Sequence, residues 1–521
     1  MMKMTWMRTQ MDRRNFLRGA TALSAAATLP MKWPKSAQAA DGDTLRVRSY
    51  GDQSTMDPAY SLGVFDEDVH ANVYNKLIQY KPGSEWGWQL DAAAMIEQVD
   101  PTHVKFALRD DIGFTNGFGA MTAEDVKFSL ERYVDDATES PNKPDLGPLS
   151  HVEVTGEREG VIVLKDPFAP LWSIALPYIT GNIISKKAIE AAGGRFGTDP
   201  VAESGPYLRA SWNPKEKIVL KRNPDWKGEA AAWENIEILP IDDENTAEIA
   251  FEAGELDLTR VSLGSVERYR GEVPNNGTLI ENPSLFYVWL GMNLDHPKLQ
   301  NKKLRQAIQH AIDIPSIMQA AYFGAAEPST GIIAPGLVGN RAKSLVPPQA
   351  NFEKAAALLK ESGETNVTLS LDILNKTTYV TMAQVIQATL AQIGITVEVN
   401  VLESGAFWAS AENKDLQMML NRFSMTPDPY YATAWFTTEQ AGIWNWERFK
   451  NEEFDKIHVE ASKITDNDKR AAMYERAQDL MEESGAYRFI THEATPVIHS
   501  SRVIPALRPD GLNLLRYFGK A

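Results

Sequence analysis

The sequence predicts a mixed α/β protein with more than one lobe, on three observations. A strand–helix–strand unit with short connections is legible between residues 351 and 402. Alternating apolar and polar runs of strand length recur between amphipathic helical runs along the chain. The length, 521 residues of which 43% are hydrophobic, is too great for a single core.

The first forty residues read as a targeting segment. "DRRNFLRGATALSAAATLP" carries the twin arginines Arg13 and Arg14, then Phe16 and Leu17, then a mildly apolar stretch from Gly19 to Leu29. A small-residue end, "SAQAA", follows. This is the pattern of a twin-arginine export signal over residues 1–39, with cleavage expected near Ala39 or Ala40. The segment's seven Lys/Arg and one Asp contribute +6 to a formal charge of −16, leaving about −22 on the remainder. So negative a chain is poorly suited to nucleic acid or anionic lipid. It has no cysteine, so neither a disulfide nor a cysteine-linked lipid anchor is expected. No run of about 20 apolar residues follows the N-terminus, so no membrane span is expected. The expected location is free in a periplasm.

From residue 41 the elements come in order. "TLRVRSY" sets Leu45, Val47 and Ser49 against Arg46 and Arg48, as an exposed-face strand does, and "HVKFALRD" alternates in the same way. "TAEDVKFSLERYV" opens with a capping box from Thr122 to Asp125 and places Val126, Leu130 and Val134 on one helical face. "NKKLRQAIQHAID" aligns Leu304, Ile308, Ala311 and Ile312 on one stripe. In the 351–402 unit, "FEKAAALLKESG" is a helix stopped by Gly363 and "VTLSLDIL" a strand. "TYVTMAQVIQATLAQIG" is a helix closed by Gly394, and "ITVEVNVL" a second strand, together a parallel crossover. "NDKRAAMYERAQDLMEESG" is a last amphipathic helix, ending at Gly485. Repeats, low-complexity tracts and long Gly/Ser linkers are absent, which favours lobes joined by ordered crossing strands.

Catalytic and metal patterns are missing. G-x-S-x-G, H-E-x-x-H, the P-loop and the EF-hand loop do not occur. "GFG" at Gly117–Gly119 lacks a third glycine and reads as a turn, and the eight histidines include no i, i+4 pair. The acid pairs Asp110/Asp111 and Asp242/Asp243 read as solvated turns. No enzyme, metal or cofactor is nominated. A glycosidase can draw its two carboxylates from distant positions, so a secreted glycoside hydrolase stays open as an alternative at this stage.

Five segments in order resemble the extracellular solute-binding proteins of family 5, which serve peptide, opine and nickel ABC transporters. They are Ser54 to Tyr80 with its "MDP" turn, Lys105 to Arg132 with "TAEDV", Glu203 to Trp226 with "GPY", Met292 to Asp313, and Asn445 to Ile457. The resemblance implies a periplasmic-binding-protein-like fold of type II, with a ligand cleft between two lobes and an extra subdomain. It implies lobe 1 over 40–285, with the subdomain at about 63–204, lobe 2 over 286–491, and a return to lobe 1 over 492–521. The crossing strands are expected near "LFYVWLGMN" and "ATPVIHSS". The implied function is capture of a small peptide, or a peptide-like or opine-like solute, by hinge closure and its delivery to a membrane permease. Nickel-chelate binding and a periplasmic chaperone or receptor role are the other readings. A monomer is expected.

The resemblance also nominates ligand contacts. Peptide-binding members carry a lobe 2 strand of the form "GW-xx-D-Y-pD-P", whose first Asp pairs with the ligand's ammonium. Aligned on the Pro, this chain has Arg422 in place of the Trp, then Phe423, Met425 in place of the amine-binding Asp, and Asp428 in the turn. Met425 cannot pair with an ammonium, so a free-amine clamp is not expected here. Arg422 offers a planar fork for carboxylate or phosphate and points to an anionic ligand group. Trp408, Asn445, Trp446 and Arg448 are expected to border the cleft from lobe 2, and Tyr50 and Gln53 from lobe 1, with Asn116 and Phe118 as further candidates. Trp435 is assigned to the core.

Overall fold

Two long antiparallel strands organise the molecule. Thr278–Met292 and Tyr487–His499 pair from Thr278↔His499 to Gly291↔Tyr487. They lie at the centre of a ten-stranded sheet. On one side the sheet continues through Leu258–Arg260, Thr44–Ser49, Asn235–Pro240, Lys217–Arg222 and Tyr207–Asn213. On the other it continues through Met418–Ser424, Thr368–Leu374 and Thr396–Leu402. The computed structural model describes residues 43–521. The export segment read at 1–39 lies outside the described residues. Leu45–Ala521 form one compact unit.

The crossover unit follows its sequence pattern. Phe352–Ser362 ends at Gly363, whose φ of 74° is a left-handed cap. Thr368–Leu374 and Thr396–Leu402 run parallel, in register from Thr368↔Thr396 to Leu374↔Leu402. The helix Thr377–Ala391 joins them and buries Met382, Ile386 and Leu390. A separate four-stranded antiparallel sheet builds the subdomain: Ala93–Asp100, His103–Leu108, Glu159–Leu164 and Leu149–Val154, in that spatial order. His103–Leu108 alternates burial along its length. The helix Ala123–Val134 packs beside this sheet, and Asp125 Oδ2 accepts from the Thr122 N–H at 2.9 Å and its hydroxyl at 2.7 Å.

Apolar burial divides on the two sides of the long strands. One cluster unites Leu45, Phe106, Leu130 and Tyr207 with Val497, Leu515 and Phe518 from the end of the chain. Two more cover opposite faces of the other half of the sheet: Leu290, Ile308, Leu371 and Ile386 on one, Trp289, Phe423, Trp446 and Tyr487 on the other.

The sequence motifs are tied to one another by buried ion pairs. Asp57 of the "MDP" turn takes both terminal nitrogens of Arg132, at 3.0 and 2.9 Å, with Asp57 fully buried. Gly205 has Asn72 O 2.3 Å from where a Cβ would stand, so only glycine lets the "GPY" turn approach the helix Val64–Val73. One expectation needs correction. Thr44–Ser49 is not a strand with a solvated face, because Arg48 and Ser49 are buried with Leu45 and Val47. Arg48 reaches the cleft edge, where its guanidinium donates at 2.7 Å to the carbonyls of Ile241 and Asp242.

Candidate functional site

A cavity of about 860 Å³ lies where the two halves of the sheet meet, and both halves line it. The half of the sheet that holds Met418–Ser424 supplies the end of a ladder. Phe286 pairs with Ser424, and the Met425 N–H donates to Leu285 O at 2.9 Å. The register of the long strands breaks between Pro283 and Tyr287. The break withdraws Ser284, Leu285 and Phe286 from pairing with Tyr487–His499 and leaves them lining the cavity. Met425, Thr426 and Pro427 complete this wall. It is neutral and largely apolar.

Lobe 1 supplies the charges. Thr44–Ser49 and Leu258–Arg260 run parallel, and their carboxyl ends deliver Tyr50 and Arg260 to the cavity. Asn235–Pro240 leads to Asp242, Asp243 and Glu244 at the start of the helix Glu244–Glu252. The C-terminal return adds Arg508 and Asp510. Most of these groups are spoken for. Arg48 is bonded to carbonyls, Arg508 grips Asp510 at 3.0 and 2.6 Å, and Asp243 caps its helix by accepting from Thr246 N at 2.7 Å. Among the arginines of this wall Arg260 differs: no hydrogen bond or ion pair engages its guanidinium among the described residues, and the same holds for the carboxylates of Asp242 and Glu244. The Arg260 charge acts on half-buried Asp68, which accepts the Ser49 hydroxyl at 3.2 Å. Burial lifts the Asp68 carboxyl to about 7, against the opposing pull of the Arg260 charge and the Ser49 bond.

Of the residues nominated from sequence, Tyr50 and Met425 line this cavity. Tyr50 is 44% exposed and sets its ring edge-on to Phe65. Arg422 does not line it. Its Nε donates to Glu493 Oε2 at 2.6 Å, and its guanidinium carbon sits 3.5 Å from the centre of the Phe286 ring, so it backs a lining residue. Asp428 is buried and held by Arg470. Gln53 is buried and bonds Thr55 O at 3.1 Å.

The remaining lobe 2 nominees form an aromatic mass away from the cavity lining. Phe423 packs against Trp289, Trp435, Trp444 and Trp446. Trp446 donates to Ile443 O, and Trp408, 37% exposed, lies edge-on to it. Asn445 is fully buried and spends its amide on the carbonyls of Phe436, Thr437 and Phe449. Arg448, buried at φ +53°, donates to Trp446 O at 3.0 Å. Asn116 bonds Val201 O at 2.8 Å, and Phe118 packs on the lobe 1 core. Sequence reasoning missed Arg260 and Phe286. Arg260 stands in an undistinguished "DLTRV", and Phe286 sits inside a segment read only as a crossing strand.

Known proteins with this architecture bear on the site. The sequence profile described as "Bacterial extracellular solute-binding proteins, family 5 Middle" matches residues 89–443, and the twin-arginine translocation signal profile matches residues 10–30. The chain is 25% identical over 487 residues to the probable D,D-dipeptide-binding periplasmic protein DdpA of Escherichia coli K12, covering 89% of this chain and 91% of that one. It is 26% identical over 414 residues to the glutathione-binding protein GsiB of Shigella flexneri, covering 76% and 79%. Among solved structures, HbpA2 from Haemophilus parasuis superposes with a TM-score of 0.79 at 22% identity, over 92% of this chain and all of that one. The motif order, the paired crossing strands and a cavity lined from both lobes have one explanation: the chain belongs to the bacterial extracellular solute-binding proteins of family 5.

Proposed function

We propose that this protein is the periplasmic solute-capturing component of an ABC importer and that its ligand is an anionic, peptide-like or opine-like organic solute without a free amine at the Met425 end. The carrying observation is Arg260, the one arginine lining the cavity whose guanidinium has no hydrogen bond or ion pair among the described residues; the acids Asp242 and Glu244 line the same wall, and the facing wall is neutral. A ligand carboxylate answers that cation with charge-assisted hydrogen bonds. Leu285, Phe286 and Met425 receive the apolar body. Met425, 5% exposed, offers no charge to an ammonium, whose unpaired burial is costly. The relatives DdpA and GsiB, named for binding a D,D-dipeptide and glutathione, support a peptide-like class.

The lobe limits given above accompany this reading. Lobe 1 comprises 40–285 with its return at 492–521, lobe 2 comprises 286–491, and the protein acts as a monomer without chemical turnover. Ligand contacts to both lobes exist together only in the closed form, so binding shifts the population toward closure. The test is a thermal-shift screen of the mature chain against N-acylated dipeptides, opines, free dipeptides, sugars, amines and chelated nickel. Stabilisation by the N-acylated or opine anions, lost in Arg260→Ala, is the expected result. Selective stabilisation by free-amine peptides or chelated nickel, indifferent to Arg260→Ala, overturns the reading, as does turnover of any bound compound.

A further inference from the structure

A second cavity of about 490 Å³ opens between the subdomain and lobe 2 and shares Pro427 with the cleft cavity. Its subdomain side is aromatic. Ile78–Tyr80 pairs with Trp88–Leu90, setting Tyr80 opposite Trp88. Trp88 stacks on Trp172 with ring centres 5.5 Å apart and planes at 21°. Trp86 lies edge-on to Tyr80, 5.9 Å away. Arg508, which lines the cleft cavity, holds its guanidinium carbon 4.8 Å from the Tyr80 ring centre and 5.3 Å from that of Trp86. One cationic side chain therefore borders the cleft and backs the aromatic wall of the second cavity.

Trp88 is 37% exposed although it lines the cavity together with Trp86, Trp172 and Ile96. Apolar exposure at a cavity wall marks a surface that something covers. The buried polar side chains here are occupied with one another: Asp428 takes Arg470 and the Ser173 hydroxyl. The apolar part of the lobe 2 side is Leu337, Val338, Pro427 and Pro429, beside the paired Asp428 and Arg470. A sugar ring needs a fan of side-chain hydrogen-bond partners around its stacked face; those that lie here are Asn467 and Thr465, both exposed, and half-buried Gln98, whose amide is turned to Pro101 O at 3.4 Å. A flat apolar ring needs only the stacked face.

We propose that this cavity is a subsite for an aromatic side chain of the ligand, stacked against the Trp88–Trp172 pair, with Arg260 holding the ligand's anionic group in the adjoining cleft. The ligand class narrows to aromatic-bearing peptide-like anions. This rests on the reading of the cleft given above, and the test separates the two.

The probes are N-acetyl-Gly-Trp and N-acetyl-Gly-Ala, titrated calorimetrically into the mature wild-type chain, Trp88→Ala and Trp88→Phe. Trp88 is exposed enough for its truncation to leave the fold intact. The aromatic probe is expected to bind about tenfold or more tightly than its alanine counterpart. Trp88→Ala abolishes that preference without changing affinity for the alanine probe, and Trp88→Phe restores most of it. Equal binding of both probes, or a preference that survives Trp88→Ala, overturns the subsite and leaves the cleft reading standing. In parallel, 5-fluoroindole alone is titrated and followed by fluorine NMR, independently of any anionic anchor. Line broadening that disappears in Trp88→Ala supports the subsite even where neither peptide binds, an outcome that sinks the cleft reading instead. Broadening that is absent, or unchanged in Trp88→Ala, overturns the subsite.

Discussion

Asp428 and Ser173 join lobe 2 to the subdomain: the Ser173 hydroxyl donates to Asp428 Oδ2 at 2.7 Å. Arg470 donates to both oxygens of the same carboxylate, at 2.9 and 3.0 Å, with both partners nearly excluded from solvent. The contact has company. Ala169 N donates to Ser462 O at 2.7 Å, and Phe168 meets Tyr430 edge-on at 5.8 Å. The turn that the family resemblance offered as a ligand acid is a clasp between the lobes.

The two partners of Asp428 predict different failures. Asp428→Asn leaves Arg470 buried without a counter-charge and is expected to cost about 3–5 kcal/mol in urea unfolding. Ser173→Ala removes one hydrogen bond at the lobe boundary and is expected to cost no more than about 1.5 kcal/mol. Its effect should appear in closure: a larger radius of gyration by X-ray scattering and weaker binding of whichever ligand closes the cleft. Wild-type compactness and affinity in Ser173→Ala refute the clasp.

Glu447 predicts a pH dependence. It is buried, and its Oε1 accepts from the Trp289 indole at 2.7 Å. Burial lifts its carboxyl from 4.5 to about 7, opposed by the Trp289 bond. Its folded pKa is raised, so the stability it contributes is complete below about 4.5 and is lost as pH rises through 7. Glu447→Gln keeps an oxygen for Trp289 and removes the charge. It is expected to match the wild type at pH 5 and exceed it by about 2–3 kcal/mol at pH 8. A constant difference between the two pH values rejects the assignment.

Gly291 faces the same carboxylate. A Cβ at this position would stand 2.0 Å from Glu447 Oε1. Gly291→Ala must displace a buried carboxyl group or bend the long strand, and a loss of about 2–4 kcal/mol in unfolding free energy is expected. A loss below 0.5 kcal/mol shows that the carboxylate swings aside freely.

How much of this was legible depends on how local the signal is. The crossover at 351–402 was readable because helix period, strand alternation and the cap glycines Gly363 and Gly394 all lie within a few residues of one another. The family motifs were readable for the same reason, and they turn out to be scaffold: Asp57 serves Arg132, and Asn445 serves three carbonyls. The cleft was not readable at residue level. Phe286 faces it only because the register of two strands about 200 positions apart breaks beside Pro283. Arg260 is open, and Arg422 closed off, because of where Glu493 and Asp68 fall in three dimensions. Nothing adjacent in sequence records either fact.

Arg260 and Arg422 therefore carry opposite predictions, although sequence reasoning chose the second. Removing Arg260 deletes a charge that lines the cavity and makes no hydrogen bond or ion pair among the described residues. Arg260→Ala is expected to weaken an anionic N-acyl dipeptide or opine by about tenfold to a hundredfold, the scale of charge-assisted hydrogen bonds, with little change in stability. It also removes the charge that holds Asp68 down, so carbon NMR titration of Asp68 should move upward from about 7. Removing Arg422 breaks its 2.6 Å bond to Glu493 and its stacking on Phe286. Arg422 is one-third exposed, so the stability loss should stay near 1 kcal/mol, and the affinity should change by no more than about threefold through the slackened Phe286 ring. Calorimetry on the two variants decides the matter. A hundredfold loss in Arg422→Ala beside an unaffected Arg260→Ala returns the anionic anchor to Arg422 and requires Glu493 to release it on binding.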